Sequence, residues 1–489
     1  MMRVYQFLLS FFFILVFNPF QIVAQTIQKD KRPNVIFIMA DQWRRQALGF
    51  MKEDPVKTPV LDQLAKEGVA FKRAYATRPI CSPNRASLLT GRYPINHKII
   101  MNDMVLADSL ASLGNQFKKA GYQTIYIGKW HLSSDLAFTE PKDRTGFYDY
   151  WIQTVAHNHF QTVYFEENNP NKQFANRWEP DFLTDKAIAQ IDKNKDKPFT
   201  MVVSYGPPHT GGGKGFEKSR EPGRRVDNKI KFGYGYGAPE KYENMYQPYA
   251  NIPRRPNVKL VGKDSSDFVL PGYFGAITSI DENVGRLIQH LKDIGEYDNT
   301  IIVFTADHGE MLGSQGKMTK GVWFEESVGV PLIIKGPEVK KNIQTNQLIN
   351  SIDVLPTLLG LSKLPIANGI DGKDYSSLLK GEKFDAPQEV FLSFDKGAVK
   401  EPDRGWRSIV TKDYSFTVSN VDYYSPKNDK IGKDGIVLYK LKSDPYQMNP
   451  IYTETAKSVD AKLMKQLYQR LKAHLDKEND NFLKTHNLK

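Results

Sequence analysis

Residues 32–42 read RPNVIFIMADQ. From Val35 to Ala40 the run is continuously apolar and rich in β-type residues, then stops abruptly at Asp41 and Gln42. Such a short run is what a strand buried on both faces requires, as in the middle of a parallel sheet. The polar residues then fall at the strand's carboxyl end. Residues 300–310, TIIVFTADHGE, repeat the design and place Asp307 and His308 at the corresponding end.

Between these two stretches, helix and strand patterns alternate. TPVLDQLAKEG (58–68) is a helix, with Thr58 to cap it, Pro59 in the first turn and Gly68 at the stop. VAFKRAYA (69–76) follows as a strand. The stretch 112–131 gives helix, glycine stop and strand, and ends in Lys129 and His131. A helix over FLTDKAIAQIDKN (182–194) precedes the strand PFTMVVSYGPPH (198–209), which ends at His209. The longest helix pattern covers residues 272–295, and VPLIIKG (330–336) is one more strand. This alternation predicts an α/β fold: a large, mainly parallel sheet sandwiched by helices. Ligands of such sheets bind beyond the carboxyl ends of the strands, where Asp41, Gln42, His131, His209, Asp307 and His308 all fall.

Two regions have a different texture. Residues 210–237 are rich in Gly, Lys and Arg without an apolar period, a long loop in which Lys214, Arg220, Arg224 and Arg225 either grip an anionic glycan or stand solvated. From residue 386 the pattern becomes that of antiparallel strands, closed by an amphipathic helix over Val459–Leu475. The expected domains are therefore a catalytic α/β domain over 25–385 and a smaller α+β domain over 386–489. Residues 1–24 are expected to be a signal peptide: Arg3, the apolar run FLLSFFFILVF, and a small residue, Ala24, at the cut. The run is short for a membrane span, so the mature protein is expected to be exported, periplasmic or secreted, with no stable membrane insertion.

Hydrophobic content of 40% with 25% charged residues excludes disordered and fibrous classes. The net charge of +12 suits an anionic partner or simply a basic surface, and no nucleic-acid reader motif accompanies it. Cys81 is the single cysteine, so no intramolecular disulfide can form. It lies in CSPNRASLLTG (81–91), where Pro83 suits the first helical turn and Arg85 falls on the same face one turn on. A helix N-terminus and a guanidinium together make a site for a tetrahedral oxyanion such as sulfate or phosphate. Asp41 and Asp307, with Gln42 and His308 beside them, form a donor set for a divalent cation, although such residues also serve as turn and cap residues.

CSPNRASLLTG resembles the signature of the formylglycine-dependent sulfatases, within the alkaline-phosphatase-like superfamily, exported bacterial glycan sulfatases among them. PNVIFIMADQ, GKWHL, GPPH, VFTADHGE, KGVWFEESVGVPLII, IDVLPTLL, GIDGKDYSSLLKGE and VLYKLKSDPYQMNP match that family in its order, over nearly all of the mature chain. The resemblance implies hydrolysis of a sulfate ester on a sulfated carbohydrate such as a glycosaminoglycan, mucin or algal glycan fragment. It implies that a maturation enzyme oxidises Cys81 to formylglycine, which acts as nucleophile and as a metal ligand. Asp41, Gln42, Asp307 and His308 would complete the site of one divalent metal, Ca²⁺ foremost, with Mg²⁺ or Mn²⁺ as alternatives. Arg85 and Lys129 would steady the residue-81 hydrate and the sulfate, and His131 would assist breakdown of the covalent intermediate. His209 and Lys320 would bind sulfate, His209 doubling as acid for the leaving alcohol, with Lys317 the alternative to Lys320. Gln42 and His308 replace the family's more common Asp and Asn, a combination also similar to the phosphonate monoester and phosphodiester hydrolases of the superfamily. The resemblance does not extend to His97, His157, His159 and His290, which are expected in packing or surface roles, with His157 and His159 also placed to contact substrate. Tyr150 and Trp151 are either a sugar-stacking pair or core.

Overall fold

The computed structural model describes residues 32–134, 136–155, 159–211, 235–248, 251–258, 269–395, 405–420, 431–432 and 434–485. The expected signal peptide, His157 and the four basic residues singled out in the 210–237 loop lie outside them.

The strand that opens the chain, Asn34–Asp41, is buried at every residue and lies near the middle of a ten-stranded sheet. Val35–Tyr205 registry runs parallel on one side, with Val35 opposite Thr200 and Ala40 opposite Tyr205. On the other side Val35 pairs with Ile301 and Ala40 with Ala306, again parallel. Strand Gln123–Lys129 pairs in parallel beyond Phe199–Pro208, and Tyr150–Thr154 beyond that. These five strands all point their carboxyl ends the same way, which is what gathers the polar residues that follow them.

The flanks depart from the parallel pattern. Leu332–Lys335, part of the expected VPLIIKG strand, runs antiparallel to Thr300–Ala306. The segment VAFKRAYA is two strands: Val69–Phe71 joins the large sheet, whereas Ala74–Tyr75 joins a three-stranded sheet with Gly329–Val330 and Ile349–Asn350. The break falls at Lys72 and Arg73, whose charges cannot enter the apolar sheet interior. Arg73 turns out to the Tyr75 hydroxyl and to the carbonyls of Thr411 and Lys412 instead. Trp151 stacks on Tyr126 at 5.0 Å with Trp130 edge-on at 5.1 Å, so this ring is core and not a sugar platform.

Beyond residue 388 five antiparallel strands form a smaller sheet: Glu389–Asp395, Gly405–Thr411, Tyr414–Ser419, Ile436–Lys440 and Ile451–Tyr452. The helix Ser458–Lys477 covers one face, burying Met464, Leu467, Leu471 and Leu475 at helical spacing against Phe391, Ile409, Phe416 and Leu438. The opposite face, with Leu392, Trp406 and Val410, packs on Val322, Trp323, Phe324 and Val328. The Trp406 indole N–H donates to the buried Gly321 carbonyl at 3.0 Å. The small sheet therefore holds the segment that carries Lys320. Among the described residues no helix is long and apolar enough to cross a membrane.

Gly128 marks the tightest approach at the sheet's carboxyl edge. Its φ is +119°, and a Cβ there would lie 2.0 Å from the Ser204 carbonyl oxygen. Gly128→Ala is expected to cost about 3 kcal/mol through strain and overpacking. A denaturant midpoint equal to that of the wild type would refute this.

Candidate active site

The nucleophile candidate opens a helix, Cys81–Thr90, every residue of which is buried. Ile80 is extended before it and Pro83 lies in its first turn, so the chain enters sharply and Cys81 faces the sheet's carboxyl edge. The Cys81 Sγ lies 3.2 Å from His308 Nε2, 3.8 Å from Asp41 Oδ1 and 3.9 Å from Lys129 Nζ. Asp41, Cys81, Asp307 and His308 each turn a ligand atom into one space, all within 4.8 Å of one another, and all four are buried.

Positive charge surrounds this cluster. Lys129 Nζ donates to Asp41 Oδ2 at 2.5 Å. Arg85, wholly buried, reaches Asp41 Oδ2 at 3.3 Å and Asp307 Oδ2 at 2.9 Å, and also donates to the Lys129 carbonyl and the Ser204 hydroxyl. Its guanidinium thus binds the two carboxylates and fixes Lys129. On the far side, Lys320 Nζ donates to Gln42 Oε1 at 2.5 Å and sits 2.7 Å from His209 Nε2. Lys320, and not Lys317, is the lysine that the KGVWFEES segment brings to His209 and Gln42.

The electrostatics follow from this arrangement. Burial alone would raise the Asp41 carboxyl, but Lys129, His209, Arg85 and His308 hold it well below the usual range. Asp307 is raised, by burial first and then by the Asp41 charge. Burial and Asp41 push the Cys81 thiol up, yet Lys129, Lys320 and His308 overcome them and keep it well below its ordinary value. His209 is lowered to about 4 by burial and the Lys320 charge, with hydrogen bonding to Cys81 acting the other way.

His131 is anchored through its carbonyl, which accepts from the Ser82 hydroxyl, and its Nε2 lies 3.4 Å from Asp103 Oδ1. His159 is buried under the cleft: Nδ1 lies 2.8 Å from Glu179 Oε2 and Nε2 3.1 Å from the His209 carbonyl. Glu179 Oε1 accepts from the Gly206 N–H at 2.7 Å, so this pair braces the turn that carries His209. His290 pairs with Asp192 near the surface. Three residues that sequence reasoning did not single out complete the setting: Ser204 on Arg85, and Glu310 and Tyr236 on Gln42. Glu310 belongs to the same ADHGE stretch as Asp307, which was a usable signal; nothing in the sequence around Tyr236 sets it apart.

Residues 33–364 match the family model described as Sulfatase, and residues 313–476 match that of the N-sulphoglucosamine sulphohydrolase C-terminal region. The chain belongs to the sulfatase family. It is a sulfuric ester hydrolase of the alkaline-phosphatase-like fold. An ulvan-active sulfatase of Formosa agariphila is 34% identical over 93% of this chain and 84% of that protein. The solved structure of yidJ from Bacteroides fragilis, a candidate sulfatase, superposes with a TM-score of 0.80 at 30% identity, covering 95% of this chain and all of the other. A second structure, solved with its substrate D-glucosamine-2-N,6-O-disulfate, has a TM-score of 0.72 at 25% identity and covers 92% of this chain and 99% of its own.

In this sulfatase the nucleophile helix is itself supported by a neutral histidine. His97 Nδ1 accepts from the Ile99 N–H at 3.0 Å, which leaves the Nε2–H to donate to Ser87 Oγ at 3.1 Å. Burial foremost lowers its pKa to about 3. Between about pH 6.5 and pH 3 the unfolded chain binds a proton here that the folded chain refuses. Stability contributed by neutral His97 is therefore full above pH 6.5 and is lost as pH falls through that window. Thermal unfolding across it should show a steeper acid decline in the wild type than in His97→Gln, and parallel curves would contradict the assignment.

Proposed function

We propose that the chain hydrolyses a sulfate ester on a sulfated carbohydrate, using formylglycine formed at Cys81 and one divalent cation. The observation that carries this reading is the convergence of Cys81 with Asp41, Asp307 and His308, flanked by Lys129, His209 and Lys320. The carbohydrate assignment is supported by the sulfated sugar bound in the second structure above and by the net charge of +12, which suits an anionic substrate.

The donor set fits a dication. Two buried carboxylates within one small space repel each other, and the raised Asp307 records that conflict. Asp41, Asp307, His308 and the residue-81 oxygen would hold the ion, with the Gln42 carbonyl as a neutral oxygen beside it. Oxygen donors suit Ca²⁺ or Mg²⁺, and the imidazole admits Mn²⁺. A thiolate is too soft for that set, whereas a hydrated aldehyde supplies hydroxyl oxygens. When bound, the cation lowers the pKa of the attacking hydroxyl and offsets charge on the sulfuryl oxygens.

The chain's own groups then divide the work. One hydroxyl of the residue-81 hydrate attacks sulfur, and the bond from sulfur to the sugar oxygen breaks. Lys320 and Lys129 hold the sulfuryl oxygens as charge builds on them. His209, whose Nε2 lies 2.7 Å from Lys320 Nζ and whose Nδ1 faces the Thr210 carbonyl, is the proposed acid that protonates the departing sugar oxygen. His131 takes the proton of the second hydroxyl, the aldehyde re-forms, and sulfate leaves. Arg85 holds Asp41 and Asp307 in place. The expected signal peptide places this activity outside the cytoplasm.

The deciding experiment is sulfate release from a panel of defined sulfated mono- and oligosaccharides, run beside an aryl sulfate, a phosphodiester and a phosphonate monoester. Preference for phosphorus would defeat the proposal, as would binding of sulfated sugars with no release from any. Mass spectrometry of the residue-81 peptide should show the aldehyde, and an intact thiol in active enzyme would rule out the mechanism. Cys81→Ala should lower kcat about 10³-fold or more, and Lys320→Ala should mainly raise KM. Chelation should abolish turnover and lower Tm, with Ca²⁺ restoring both; an enzyme indifferent to chelation would remove the metal from the scheme.

A further inference from the structure

Gln42 stands at the sulfate-facing side of the site with an amide whose two ends have opposite hydrogen-bonding character. Its Oε1 accepts from Lys320 Nζ at 2.5 Å. Its Nε2 donates to Glu310 Oε2 at 2.5 Å and to the Tyr236 hydroxyl at 2.9 Å, which uses both amide hydrogens. Glu310 is wholly buried and surrounded by donors. Its Oε1 accepts from the N–H groups of Leu312 at 2.9 Å and Thr319 at 2.7 Å, and Tyr236 hydrogen-bonds to it as well. With donors to both of its oxygens, Glu310 serves here as an acceptor. The Tyr236 hydroxyl accepts from Gln42 and donates to Glu310. The hydroxyl is held in turn by its ring, which packs edge-on against Tyr273 at 5.4 Å.

We infer that Glu310 and Tyr236 are positioning residues that lock the Gln42 amide with its carbonyl towards Lys320. Rotated by half a turn, the amide would present N–H groups to an ammonium, donor against donor, and would leave Glu310 Oε2 facing a carbonyl. Lys320 would then lose the acceptor that holds it beside His209. The acceptor at 310 also accounts for an amide at 42 in place of a carboxylate: an acidic residue there would set a second negative charge against buried Glu310, at high cost. The pair 42–310 is therefore complementary as amide and carboxylate, and the ammonium of Lys320 is aimed through it. The consequence for sulfate rests on the reading of Lys320 given above, whereas the polarity of the amide does not.

Four full-length variants test this: Glu310→Gln, Gln42→Glu, the two combined, and Tyr236→Phe. Each is compared with the wild type for binding of inorganic sulfate by calorimetry and for thermal unfolding. Glu310→Gln keeps an acceptor for Leu312 and Thr319 but turns a donor towards Gln42, and it should weaken sulfate binding about tenfold. Gln42→Glu should lower Tm, and adding Glu310→Gln in that background should restore it, since carboxylate and amide have only exchanged places. Sulfate affinity unchanged in Glu310→Gln, or effects on Tm that simply add, would overturn the inference. If Glu310→Gln does not fold, Tyr236→Phe decides: a few-fold weaker sulfate binding is expected, and wild-type affinity refutes the lock. If the wild type itself does not bind sulfate, the sulfatase reading of Lys320 fails while the thermal comparison still judges the amide lock.

Discussion

Two carboxylates, Asp41 and Asp307, meet at the ends of adjacent parallel strands with no access to water, and the rest of the site is arranged around that conflict. Leaving buried like charges uncompensated would cost more than a small fold can spare. Arg85 answers it from the Cys81 helix by binding both, and Lys129 answers it at Asp41 from the end of a strand two places along the sheet. Because Arg85 and Cys81 share one helix, satisfying the carboxylates also fixes where Cys81 stands. The same guanidinium holds the Lys129 carbonyl and Ser204, so two further strand ends are tied to the helix. A single buried cation, Arg85, thus sets the geometry of Cys81, the two carboxylates and Lys129 together.

The other half of the site comes from outside the large sheet. Lys320 is carried on a segment whose apolar residues, Val322, Trp323 and Phe324, are buried against the smaller antiparallel sheet. Trp406 fixes the Gly321 carbonyl next to it. A second link runs through ion pairs: Arg78, just ahead of Cys81, pairs with Asp395, which pairs with Arg407, which pairs with Asp480. The smaller sheet therefore bears on both walls of the cleft, the one that presents Cys81 and the one that presents Lys320.

Much of this was legible in the sequence. The apolar runs ending in Asp41, Lys129, His209 and Asp307 announced strand ends on one edge, because period and length betray strands buried on both faces. Pro83 announced the start of the nucleophile helix. What could not be read was the partner of each charge. Arg85 looked like an anion-binding group one turn from Cys81, yet its nitrogens are engaged by residues 44, 222 and 119 positions away along the chain. His159, expected in a packing or surface role, is a buried brace between Glu179 and the His209 backbone, partners that nothing in the sequence names. The split of residues 69–76 into two strands was equally hidden, since it depends on where Arg73 finds acceptors in the distant C-terminal sheet.

The sequence by itself determined the class of fold, the order of its strands' polar ends, and the chemical types present at the site. Those follow from local patterns: apolar period, helix-starting proline, and residue chemistry do not depend on distant neighbours. Only the tertiary structure decided which way the Gln42 amide points, that Lys320 and not Lys317 meets His209, and that Arg85 serves the carboxylates. Each of these is a choice between acceptors and donors brought together from separate elements, and a hydrogen-bonding polarity exists only once both partners are in place.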